Sequence, residues 1–208
     1  MSDALSSTVE YWRAGGVILI PLALVSLAIF ALLLRLRGHL AGLLRESGPL
    51  AADLAALGPG AGMAAAREVV RRGGGGLASL LGQVLDEAEQ GGRPAFSLPR
   101  REEQVRALLR RDLVALVALT GMAPLLGLLG TVAGMVSTFD AVATTAGETA
   151  ARVAGGISTA LITTQFGLVI ALPGVFGIAR VERRLRSLEV RMAECRAHLL
   201  AALAGGPA

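Results

Sequence analysis

The sequence predicts an all-α membrane protein with three transmembrane helices joined by helical extensions. Three observations predict it. Residues 14–34, 113–139 and 153–179 carry no charged side chain. Each run reaches the roughly 20 apolar residues that a bilayer core demands. The chain is 53% apolar and only 3% aromatic, with a positive mean hydropathy. Finally, its cations are all arginine, 20 of them without a lysine, and 18 fall in residues 35–112 and 180–208. Such a bias sets the orientation of transmembrane helices.

Residues 1–13 form a short outer segment, in which Tyr11 and Trp12 precede the first apolar run. Paired amphipathic aromatics at that place suit a membrane-interface anchor. Residues 14–34 read as a retained first transmembrane helix. The run is too long for the apolar region of a signal peptide, and Arg35-Leu-Arg37 follows it where a small-residue cleavage site would stand. Pro21 is expected as a kink near its outer end.

Residues 35–112 are soluble in character, with 12 arginines against nine acids. Gly58-Pro-Gly-Ala-Gly62, Gly73–Gly76 and Gly91-Gly-Arg-Pro94 punctuate them. Helical pieces are expected near 38–57, 63–72, 77–90 and 96–112. Leu77, Leu80, Leu81, Val84, Leu85 and Ala88 form an amphipathic stripe in the third. The glycine run is not a phosphate loop, because no Gly-x-x-x-x-Gly-Lys-Ser/Thr pattern exists.

The second and third transmembrane segments, 113–139 and 153–179, are joined by a loop at 140–152. Neither is a plain anchor. Thr120, Pro124, Gly127, Thr131, Gly134 and Thr138 step by four and three, on one side of one helix. Gly156, Thr159, Thr163, Gly167, Ile170, Gly174 and Gly177 follow a similar rhythm, with Thr164 and Gln165 beside them. Gly127, Gly130, Gly134 and Gly167 permit close helix packing. The hydroxyls of Thr131, Thr159, Thr163 and Thr164 could line a watery path, since each offers a donor and two acceptor sites. They could equally bond back to their own helices. Periodicity alone favours packing over a pore.

In the C-terminal segment, 180–208, Val181, Leu185, Leu188, Met192, Cys195 and Leu199 form an a/d-like seam. It serves either the chain's own core or a neighbouring subunit. The single cysteine excludes a disulfide within the chain and is read as a packing residue.

Three spans place both arginine-rich segments on one side, the cytoplasmic one, and Met1 on the other. Nucleic acid is not expected as a partner, because aromatics interleaved with the arginines are missing. Only His39 and His198 are present, and no catalytic set or metal-ligand spacing is found. Neither an enzyme nor a cofactor or metal is expected. No acid lies well inside a span, so a proton relay would need a titratable group from a partner.

Leu126-Gly-Leu-Leu-Gly-Thr-Val-Ala-Gly-Met135, with Phe139 four residues on, resembles the second-span motif of the MotA/TolQ/ExbB proton-channel family. The run from Gly156 through Thr163-Thr-Gln-Phe-Gly167 to Pro173 resembles its third-span motif, and Tyr11-Trp-Arg-Ala-Gly-Gly16 its N-terminal entry. The three-span layout is similar to that of ExbB and TolQ, whereas MotA-like stators have four spans. The resemblance implies a multi-pass protein of the bacterial inner membrane, with its N-terminus periplasmic and its C-terminus cytoplasmic. It implies an oligomeric ring, a pentamer, around an ExbD-like single-span partner that carries the membrane aspartate. It also implies work on a TonB-like protein, with TolQ-like envelope maintenance or a non-conducting scaffold as alternatives. The family's pore threonines fall on Thr131 and Thr164. Where many relatives carry a third-span glutamate, this chain has Thr159.

Overall fold

The computed structural model describes residues 17–144 and 149–204. Tyr11, Trp12, the N-terminal entry motif, four residues of the 140–152 loop and the tail from 205 lie outside the described residues. Five helices make up the rest: α1 (Leu19–Leu57), α2 (Met63–Gly73), α3 (Gly75–Glu89), α4 (Pro94–Thr144) and α5 (Thr149–Leu203). Among the described residues there is no strand. Helices α1, α4 and α5 are each long and apolar enough to cross a membrane.

The polarity changes at 34/35, 112/113 and 179/180 do not interrupt a helix. Neither glycine nor proline stands at any of them, and the hydrogen-bond ladder runs through. The pieces expected at 38–57 and 96–112 are therefore parts of α1 and α4. Pro21 lies near the N-terminal end of α1, as expected. It sits in the first turn of α1, where an N–H would have no intrahelical acceptor anyway. Pro94 likewise opens α4 as its first residue. Real stops come where the backbone turns left-handed: Gly58, with φ of 73°, ends α1, and Gly91, with φ of 89°, follows α3.

The chain divides into two compact units. The first comprises residues up to Leu33 together with Val114–Ile178; the second comprises Leu34–Leu113 with the segment from Ala179 onward.

Within the first unit, α4 and α5 run antiparallel at close range, and α1 lies along α5, with Leu33 covering Gly177. Along the α4–α5 seam the buried residues are small, namely Ala123, Ala160 and Ala171 with Thr120, Thr138 and Thr163, while Leu19, Leu22, Ile29 and Leu33 of α1 and Leu116 of α4 are buried too. Large side chains point outward, among them Leu125, Leu128, Leu129, Val132 and Phe139 of α4 and Leu168, Leu172 and Phe176 of α5. That outward apolar face suits a lipid or protein surround.

The second unit is built as a soluble helical bundle. Its core is leucine-rich: Leu36, Leu40, Leu50 and Leu54 of α1, Leu81 and Leu85 of α3, Leu98 and Leu109 of α4, and Leu188 and Leu199 of α5. Each such burial is worth about 1.5–3 kcal/mol relative to exposure. The a/d-like seam of α5 resolves here. Val181, Leu185, Leu188, Met192, Cys195 and Leu199 are all buried within the chain itself. The Cys195 Sγ points at the carbonyl of Ser47 at 3.9 Å, and burial pushes its thiol up to about 11. Ion pairs tie the helices together. Arg196 meets Glu102 at 2.6 Å, Arg106 and Arg110 both reach Glu189, and Arg67 ties α2 to Asp86 and Glu89 of α3. Glu46 of α1 accepts the Gly76 N–H at 2.9 Å, so a carboxylate from another helix caps the start of α3.

Candidate functional site

The candidate site is the α4–α5 hairpin of the first unit. Glycines set its spacing. A Cβ placed on Gly167 would stand 2.7 Å from the Ala123 carbonyl oxygen, and one on Gly134 would stand 2.7 Å from that of Gly156. A Cβ on Gly127 would lie 3.0 Å from the Thr163 carbonyl oxygen, and one on Gly130 would strike the Thr163 side chain. Backbone against backbone leaves no room for a methyl group. Gly127, Gly130, Gly134 and Gly167 all lie on this seam.

The threonines divide by what they touch. Thr163 is fully buried against Gly130 and donates within its own helix, to the carbonyls of Thr159 and Ala160, both at 3.0 Å. Thr164 reaches across the seam instead. Its hydroxyl donates to the Gly127 carbonyl at 3.1 Å. Thr131 stands one turn beyond Gly127 on the same face of α4. It remains partly exposed and donates to the Leu128 carbonyl at 2.7 Å. Thr159, also partly exposed, donates to the Gly155 carbonyl at 3.1 Å. Thr131 and Thr164 each spend their proton on a backbone carbonyl and keep their lone pairs. Partly exposed, these two can accept a hydrogen bond from water or from a protonated carboxyl.

The ends of the seam are polar too. Thr138 donates to the Gly134 carbonyl at 2.9 Å. Thr120 is buried opposite Gly174, and its hydroxyl meets no partner among the described residues. Ala123, Ala160 and Ala171 are the seam residues that sequence reasoning missed. The true contact line of α5 runs Gly156, Ala160, Thr163, Gly167, Ala171, Gly174. It is offset by one residue from the expected stripe at Thr159 and Ile170. The signal was present, because alanine counts as small in a membrane interface. Among the described residues no group of three His, Cys, Asp or Glu could hold a metal ion.

An all-helical chain with three span-length helices, two of them joined along a glycine–threonine seam, defines a polytopic membrane protein with a polar stripe in its apolar part. The comparisons make the class specific. The MotA/TolQ/ExbB proton channel family matches residues 84–194, more than half the chain. The chain belongs to this family, whose members are transport proteins and not enzymes. It is 32% identical over 136 residues to the biopolymer transport protein ExbB of Salmonella typhimurium, covering 59% of this chain and 56% of that one. It is 28% identical over 194 residues to ExbB of Pseudomonas putida, covering 88% and 58%. Against the Tol-Pal system protein TolQ of Pseudomonas aeruginosa the identity is 37% over 105 residues, covering 50% and 43%. The chain thus spans about half the length of these relatives.

Proposed function

We propose that this chain is an ExbB-like subunit of a proton-motive-force-driven channel in the bacterial inner membrane. It assembles as a ring, the family's pentamer, around an ExbD-like single-span partner that supplies the membrane aspartate. The complex energises TonB-dependent transport across the outer membrane. The arginine-rich segments face the cytoplasm and the N-terminus faces the periplasm. The observation that carries this reading is the pairing of the family match with the hydroxyl arrangement at Thr131 and Thr164. These two lie on adjoining turns of one seam and keep free lone pairs in a stretch that has no acid of its own.

The proposed roles differ along the stripe. Thr131 and Thr164 accept hydrogen bonds from the partner's protonated carboxyl and from waters beside it. Thr159 adds a polar, non-titrating surface where many relatives place a glutamate. Thr163 serves the hairpin rather than the lumen, because Gly130 covers it. The test is proton uptake by liposomes holding this chain with its ExbD-like partner. Thr131→Val with Thr164→Val should abolish uptake while native mass spectrometry still counts an intact ring. Thr131→Ser, which keeps the hydroxyl, should restore most of it. Undiminished uptake in the double valine variant would end the role of the hydroxyls. A chain that assembles with the partner yet never conducts would be a scaffold.

The 37% identity to a TolQ favours a second reading, envelope maintenance through the Tol-Pal system. Complementation of strains lacking either ExbB or TolQ separates the two.

A further inference from the structure

A cavity of about 370 Å³ opens in the second unit between α1 and α4. Arg35, His39, Arg111 and Asp112 line it together with Leu108 and Leu109. Its place in the chain is specific. Arg35 directly follows the uncharged run of α1, and Asp112 directly precedes that of α4. Both helices continue unbroken from the cavity wall into those runs. The cavity therefore lies where the apolar stretches begin, and its lining mixes charged side chains with leucine and valine.

The charges do not cancel. Arg35 pairs with Asp112 at a loose 3.6 Å and is 63% exposed. Arg111 makes no ion pair among the described residues. Two guanidiniums thus face one carboxylate, with the His39 imidazole beside them. Leu108 stands 66% exposed at the same opening. A guanidinium pair suits a phosphate, to which arginine bonds through two N–H groups at once. An adjacent exposed leucine suits an acyl chain. A ligand with a phosphate at one end and hydrocarbon at the other satisfies both kinds of lining.

We propose that this cavity binds the headgroup phosphate of an anionic phospholipid, in the leaflet on the arginine-rich side. Arg111 supplies the uncommitted charge, Asp112 steers Arg35, and Leu108 and Leu109 meet the first methylenes. The inference does not depend on proton conduction.

The test uses the full chain, stripped of lipid in mild detergent and titrated with phosphatidylglycerol or phosphatidylcholine under native mass spectrometry. Retention of phosphatidylglycerol should exceed that of phosphatidylcholine. Arg35→Gln with Arg111→Gln should weaken it about thirty-fold, as two arginines near a charged lipid surface imply. Arg111→Gln alone breaks no ion pair, so it should fold normally and still lose several-fold. Arg93→Gln with Arg100→Gln, away from this cavity, should change nothing. Equal retention of both lipids, or equal losses in the remote variant, would overturn the proposal. So would displacement of the lipid by inorganic phosphate at matching concentration, which would make the cavity a free-phosphate site.

Discussion

The two units of this chain use opposite means to hold helices together. The second unit interlocks large side chains: leucine fills the space between helices and arginine–carboxylate pairs tie them together. Along its α4–α5 seam the first unit instead removes side chains, so that glycine and alanine bring backbones together while many large residues of these two helices face outward. In water, leucine burial drives association. In a bilayer the surroundings are as apolar as leucine, and only close packing and hydrogen bonds distinguish one helix from the lipid. The difference teaches which solvent each unit was built for.

The comparison is broken most directly by truncating leucines. Leu188→Ala or Leu199→Ala in the second unit should cost about 2–5 kcal/mol, because each leaves a cavity in a filled core. Leu128→Ala in the first unit should change the stability of the lone chain by less than about 0.5 kcal/mol. Thermal unfolding in detergent measures both. A large loss at Leu128 only in the assembled ring would mark that face as a subunit contact.

Glycines give the converse, at a smaller scale. Gly134→Ala and Gly167→Ala push a methyl group against a carbonyl oxygen and should each cost about 1–3 kcal/mol. Gly48→Ala in the second unit meets only the flexible guanidinium of Arg191, which can swing aside. It should be neutral within about 0.5 kcal/mol. Gly42→Ala, with open space around it in the same helix, should stabilise by about 0.5–1 kcal/mol.

Much of this contrast was legible in the sequence. The uncharged runs, the stripe of Gly127, Thr131 and Gly134, and the seam of Leu188, Cys195 and Leu199 follow from spacing alone. Two things were not. Whether the α5 seam served its own chain or a neighbour is a question of three-dimensional closure, which periodicity does not address. Which threonine is covered depends on the rotation of one helix against another. A turn of about 100° separates Thr163, behind Gly130, from Thr164, bonded to Gly127. The Arg35–Arg111 cavity was hidden for a similar reason, since it joins residues more than seventy positions apart.

The smallest effect concerns charge. Glu102 is nearly buried, and desolvation raises its carboxyl above the ordinary 4.5 despite the pull of Arg196 and Arg106. A raised value stabilises the fold fully below the unfolded value and loses that contribution as pH climbs through the folded one. At pH 8 the wild type therefore carries the cost of a buried carboxylate. Glu102→Gln should raise the melting temperature there by about 2 °C, with the gap closing as pH falls. A lower melting temperature for the variant at pH 8 would mean that the pair with Arg196 outweighs desolvation.

The way α4 begins has a practical consequence for handling the protein. Among the described residues, Arg93 is the one arginine outside a helix, and the residue after it is Pro94. Trypsin cuts after arginine and lysine but not before proline. The chain has no lysine, and Arg93, in the connection before α4, is guarded by the ring that starts the next helix. Trypsin therefore finds no ready site in the described connections between helices. Among the described residues every other arginine lies in a helix, so a cut after one of them reports a helix that has opened, which turns a routine digestion into a measure of local unfolding.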